Sequence, residues 1–201
     1  MNKEAHFHRR NLPHIYLPEA SCFITYRLKG SLPLSVINEL KKKFEFNKKM
    51  SGKIDVYKLQ KLFFAGYDDL LNSAADGPAF LCENFISKIV WDSILFYAKK
   101  EYNLICFCIM PNHVHILLTL YKNSKSLDKI MKQIKGFSAN RINKIRNEKG
   151  SVWQSESYDH IVRDEGEFYR IINYIINNPV KAGLTEDWRA WSHTYINSEI
   201  M

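Results

Sequence analysis

The stretch 102–121, YNLICFCIMPNHVHILLTLY, constrains this chain more than any other. Two apolar runs, 102–110 and 113–121, are separated only by Pro111 and Asn112. Both are turn formers, so the runs read as two strands of one tight hairpin. The second strand is buried, yet it opens with two histidines. Side chains alternate along a strand, so His113 and His115 share one side while Val114 and Ile116 share the other. At about 3.4 Å rise per residue their Cβ atoms lie about 7 Å apart, close enough for two imidazoles to converge on one ion.

Around this hairpin the chain alternates irregularly between strand and helix patterns. SCFITYRL (21–28) is rich in β-branched and aromatic residues and predicts a first strand. Residues 31–46 predict a helix with a Ser/Pro start. From about 47 to 83 the pattern loosens around a helical piece at 56–71, which reads as an insertion or elaborated connection. Amphipathic helices are predicted at 84–100 and 126–146, and one or two short extended pieces at 151–164. The last helix, 165–183, is expected to stop at Asn178-Pro179 and Gly183. This order fits a single α+β domain over residues 1–201, with helices on one face of a mainly antiparallel sheet.

No stretch of the 201 residues is long and apolar enough for a membrane helix, and the N-terminus lacks the apolar core of a secretory signal. Cys22, Cys82, Cys106 and Cys108 read as reduced thiols, in keeping with a cytoplasmic protein. The net charge of +8 is concentrated. Residues 122–149 hold nine Lys or Arg against two acids, almost the whole excess. One basic helix of this kind points to a polyanionic partner, although a charge run is more often only a solvated face.

Neutral imidazole is the commonest ligand for borderline divalent metals. A single strand histidine more often packs or caps a turn, but a pair on one strand face beside a basic helix favours a metal. Cys106 and Cys108 on the preceding strand do not complete a structural zinc site, because C-x-C with H-x-H is not a usual ligand spacing. His6 and His8 repeat the pattern in a polar tail with no apolar strand behind it, and they are set aside. On the last helix Arg170, Tyr174 and Asn178 are spaced by four and line one side. A guanidinium, a hydroxyl and an amide in a row suit phosphate, but from the helix alone a solvent-facing rim is the stronger reading.

The motifs MPNHVHILL and, with Tyr174 59 residues beyond His115, NYIINNPVKAG resemble those of the HUH (His–hydrophobic–His) tyrosine transposases. More closely, the chain is similar to the REP-associated tyrosine transposases. That resemblance also takes in RRNLPHIYLPEASCFITYRLKGSLP, IKGFSANRIN and VWQSESYDHIVRDEGEFYRIINYIINNPVKAG, so it runs almost end to end. It implies a ferredoxin-like sandwich with the histidine motif on a central strand of an antiparallel sheet. It further implies His113 and His115 as metal ligands, Asn178 as a third polar ligand, Tyr174 as nucleophile, and Mg²⁺ or Mn²⁺ as cofactor. The substrate would be single-stranded or hairpin DNA, nicked and rejoined through a 5′-phosphotyrosine. Lys132, Lys135, Arg141, Lys144 and Arg170 are the candidate DNA contacts, and relatives of this kind include both monomers and homodimers. Tyr158 is the alternative nucleophile. Two other readings compete: a domesticated hairpin-binding regulator that no longer transposes, and a zinc hydrolase in which Tyr174 is dispensable.

Overall fold

The computed structural model describes residues 6–9, 13–16, 19–50, 56–74 and 77–200. It divides into two compact units, Met1–Lys29 with Ala79–Met201, and Gly30–Pro78. In the first unit β1 (His6–Arg9) and β2 (Pro13–Tyr16) pair as a separate antiparallel hairpin, followed by β3 (Ser21–Arg27). The backbone of β1 carries the set-aside His6 and His8; their side chains lie outside the described residues.

The second unit contains α1 (Leu34–Met50) and α2 (Val56–Ser73). It therefore takes in the helix expected at 31–46 as well as the looser stretch after it. The two helices meet through the rings of Phe44 and Phe63, 5.3 Å apart. A Cβ on Gly66 would stand 3.3 Å from Leu40 Cδ1, so the missing side chain lets the helices approach.

The first unit resumes with α3 (Asn84–Tyr97), β4 (Tyr102–Ile109), β5 (His113–Leu120), α4 (Leu127–Arg146), β6 (Tyr158–Ile161) and α5 (Glu165–Lys181). A 3-10 turn at Trp188–Ala190 and β7 (Thr194–Ile196) complete it. The main sheet has the order β6-β3-β5-β4-β7, and every neighbouring pair is antiparallel. This is the expected α+β sandwich, with the histidines on the middle strand.

Both faces of the sheet are apolar, and both are covered. On one face Ile24, Tyr26, Phe107, Val114, Ile116 and Leu118 pack with Val90 and Ile94 of α3 and Ile130 and Ile134 of α4. Burying each such side chain contributes about 1.5–3 kcal/mol. The opposite face carries Phe23, Thr25, His113, His115 and Leu117, and α5 lies on it, against β4 and β5. Helices thus cover both faces, where the sequence predicted one. The reason is that Ile172, Ile175 and Ile176 of α5 bury a second apolar stripe, which the remaining sheet face accommodates.

Asn178-Pro179 does not stop α5, contrary to expectation. The helix runs through Pro179 to Lys181, and Gly183, at φ +69°, ends it. Proline removes only the N–H that would bond to the Ile175 carbonyl, and so near the end the helix continues. Glycine then adopts the left-handed conformation that closes a helix without Cβ strain.

Candidate functional site

The hairpin link sets the entry of β5. The Met110 N–H donates to the His113 carbonyl at 2.8 Å, which closes the two-residue connection. The Pro111 and Asn112 carbonyls accept from the Leu81 and Leu28 N–H groups at 3.0 and 2.9 Å. Both carbonyls of the link are therefore satisfied. Asn112 Oδ1 lies 2.6 Å from His113 Nδ1, and Thr25 Oγ1 lies 2.7 Å from His115 Nδ1. Thr25 reaches His115 because β3 and β5 pair them directly across the sheet.

An amide oxygen only accepts, so His113 carries its proton on Nδ1 and turns the Nε2 lone pair outward. The two Nε2 atoms face each other at 3.0 Å, with ring centroids 4.6 Å apart. Both rings are fully buried. Two lone pairs at that separation repel unless a proton or a cation lies between them. Polar partners behind each Nδ1 and convergent Nε2 atoms are the usual preparation of imidazoles for a metal. The donor set fits a divalent ion.

Two aromatic rings complete the wall. Phe23 stacks on His115 at 5.7 Å, and Tyr174 meets both Phe23 and His115 edge-on, at 5.9 and 5.5 Å. Residues 168–178 of α5 place half-buried Tyr174 toward the histidines and, one turn on, fully buried Asn178 on the same sheet-facing side. The helix rim favoured by the helix pattern alone is therefore not what the fold makes of Tyr174. Tyr158 also faces this side, opposite Thr25 on β6, with its ring 6.4 Å from Phe23. Burial and nearby Asp159 hold its phenol well above the ordinary tyrosine range, which keeps it protonated.

The cationic candidates divide. Lys132, Arg141 and Lys144 are exposed on α4, which lies on the sheet face away from Tyr174. Arg141 stacks over the ring of exposed Phe137 at 5.1 Å. Lys135 points into the protein instead. Its ammonium donates to the carbonyls of Gln154 and Ser155 at 2.6 and 3.0 Å, and burial and Arg27 push its pKa down to about 8. Lys135→Ala should therefore cost stability, about 2 kcal/mol for the lost charge-assisted bonds, with little change in DNA affinity. A DNA-binding titration and a denaturant melt on one sample separate the two effects; a fall in affinity at full stability would return Lys135 to the phosphate surface.

Arg170 is likewise turned away from Tyr174. Its guanidinium leans back over the first turn of α5, 3.7 Å from Asp164 and beside Gly166. The cation that does approach the tyrosine is Lys181, with Nζ 5.8 Å from the ring centroid. Sequence reasoning missed it, although the spacing 174, 178, 181 follows one helix face. Cys106 and Cys108 are free, buried thiols. Cys108 stands opposite His115, but its sulfur contacts Met110 Sδ at 3.7 Å and accepts from Thr194 Oγ1 at 3.5 Å. Burial pushes this thiol up to about 12, so it is inert at neutral pH.

The sequence and the fold both have counterparts among known proteins. Residues 83–178, which hold both histidines, Tyr174 and Asn178, match the family described as "Transposase IS200 like". A Haemophilus influenzae protein named "Putative REP-associated tyrosine transposase" is 25% identical over 111 residues, covering 49% of this chain and 61% of that protein. An uncharacterised protein of the same organism is 31% identical over 114 residues, covering 46% of this chain and 62% of its own length. The chain thus spans about three-fifths of the length of each of these relatives. The fold is shared with a REP-associated tyrosine transposase solved bound to a REP hairpin, at TM-score 0.59 and 14% identity over 93% of this chain and 80% of that one. Over residues 83–178 the chain is thus similar to the IS200-like transposases. The chain is also similar to proteins of this kind, one of them named as a REP-associated tyrosine transposase.

Proposed function

We propose that this protein cuts and rejoins single-stranded or hairpin DNA through a covalent bond to Tyr174. The observation that carries the proposal is the meeting of two convergent imidazole Nε2 atoms, 3.0 Å apart, with the Tyr174 ring 5.5 Å from His115. His113, His115 and Asn178 are the residues that would hold a divalent ion. Two imidazoles are borderline donors and an amide oxygen a hard one, a mixed set that suits Mn²⁺ better than Mg²⁺. When bound, such an ion supplies a Lewis acid for a non-bridging phosphate oxygen.

The chain's own residues account for the rest. The Tyr174 oxygen attacks phosphorus and its proton passes to water, while the bond from phosphorus to the 3′ oxygen breaks and that oxygen takes a proton from water. The products are a 5′-phosphotyrosine and a free 3′-OH. A second 3′-OH can reverse the step, because the phosphotyrosine link conserves the energy of the phosphodiester. Lys181, with Nζ 5.8 Å from the ring centroid, brings positive charge to the tyrosine, where it would attract the scissile phosphate. Phe23, stacked on His115 and edge-on to Tyr174, packs both rings in place.

The backbone of the DNA would be drawn by α4. Neutralising Lys132, Arg141 and Lys144 together should flatten the dependence of log affinity on log salt by about 2 units, at about 0.7 per single-strand phosphate. An unchanged slope would move the DNA surface off α4. The reading as a whole is tested by incubating the protein with Mn²⁺ and a labelled hairpin with a single-stranded 5′ extension. A denaturation-resistant protein–DNA adduct is expected, and DNA binding with no adduct under any divalent ion would leave the hairpin-binding regulator as the better account.

A further inference from the structure

Glu167 is a carboxylate only 2% exposed, yet it belongs to the first turn of α5, where acids are normally at the surface. Burial of a charge there must be offset by specific partners. The structure provides three interactions. Asp164, the residue that caps α5, accepts the Glu167 N–H with Oδ1 at 2.7 Å. Glu167 Oε2 in turn accepts the Arg163 N–H at 3.0 Å, a reciprocal arrangement of the capping-box type. Glu167 Oε1 lies 3.3 Å from His160 Nε2. The first two contacts are local to the helix start. The third is not, because His160 belongs to the edge strand β6.

His160 is not an arbitrary partner. The register of β6 with β3 sets it directly opposite Phe23. Phe23 is the ring that stacks on His115 and meets Tyr174 edge-on. The start of α5 is therefore tied through Glu167 to His160, whose strand position lies opposite Phe23, the ring that meets the tyrosine and the imidazole. Tyr174 lies seven residues, nearly two helical turns, beyond Glu167, so a shift at the helix start is carried along a rigid rod to the hydroxyl.

We propose that the Glu167–His160 pair is a latch that positions Tyr174: it holds the start of the nucleophile helix on β6 and so fixes the tyrosine against the histidine pair. Both are positioning residues that touch no reacting atom. The inference rests on the proposed role of Tyr174, and its test has a readout that does not. A buried ionisable pair contributes little net stability but can fix one arrangement of the elements that it joins.

The experiment uses the full chain with 3-fluorotyrosine incorporated, the Tyr174 fluorine resonance being assigned by its absence in Tyr174→Phe. In the otherwise unaltered protein the resonance should be sharp and displaced from that of exposed Tyr169 by the neighbouring Phe23 and His115 rings. In Glu167→Ala and His160→Ala it should broaden or move toward the Tyr169 position, and Glu167→Gln should restore part of the displacement. Single-turnover cleavage should fall by about 100-fold, the scale of a 1 Å misplacement, while hairpin affinity stays within twofold. Should Glu167→Ala not fold, His160→Gln on the edge strand serves as the milder break. A Tyr174 resonance unchanged in folded variants of both residues overturns the latch. An altered resonance with no cleavage even by the unsubstituted protein upholds the latch and overturns the proposed chemistry instead.

Discussion

Tyr174→Phe should abolish cleavage, strand joining and the covalent adduct together, while metal and hairpin binding persist. Phenylalanine keeps the ring that packs edge-on against Phe23 and His115, so the fold and the imidazole wall should be nearly unaffected. Only the attacking oxygen is lost. Removing a nucleophile outright lowers turnover by about 10⁴-fold or more. Tyr158→Phe should keep the adduct, because a phenol held protonated by burial and by Asp159 is a poor nucleophile. Peptide mapping of the adduct decides between them, and a DNA-linked peptide containing Tyr158 would sink the assignment. A water-activating hydrolase behaves differently again: Tyr174→Phe would still cut, and no protein would be found on the 5′ end.

His113→Ala and His115→Ala should each remove metal-dependent cleavage while leaving hairpin affinity largely intact, since the proposed DNA contacts Lys132, Arg141 and Lys144 lie on α4. Metal affinity, read by Mn²⁺ titration calorimetry, should drop by more than about 100-fold, because even partners behind the ligands are worth about 10–100-fold. Asn112 and Thr25 give the comparison, since each lies behind one imidazole, at 2.6 and 2.7 Å from its Nδ1. Asn112→Ala should weaken Mn²⁺ by an intermediate amount by freeing the His113 tautomer. Mn²⁺ binding at full strength in either histidine variant would place the metal elsewhere. Some stability is lost as well, about 1–3 kcal/mol where a buried hydrogen-bonding group is left without its partner.

Much of this site could be read from residues alone. The Pro-Asn link and the alternation of His113, Val114, His115 and Ile116 already put both imidazoles on one side of one strand, because strand periodicity is a local property. The helix at 126–146 was equally legible: of the stripe its period predicts, Leu127, Ile130, Met131 and Ile134 are buried, and only Phe137 is exposed. The same one-dimensional reading could not distinguish Lys135 from Lys132. Both sit on a basic helix, and only the path of residues 154–157 makes one of them an internal anchor. Nor could it see that α5 passes through Pro179, because a proline near a helix end is compatible with either outcome until the packing of the turn is known.

The sequence by itself determined what depends on short-range periodicity: the histidine pair on a buried strand, the basic stripe, and the order of strands and helices. Only the tertiary structure decided what depends on which elements become neighbours. It turned Tyr174 from a helix rim to a ring edge-on to His115, because α5 closes the sheet face that the helices α3 and α4 leave to it. It also put α4 on the opposite face, exchanged Arg170 for Lys181 beside the tyrosine, and joined Glu167 to His160. Each of these contacts links residues whose spacing carries no period. They follow from burying two apolar faces of one sheet at once, a condition on the whole chain that no local pattern expresses.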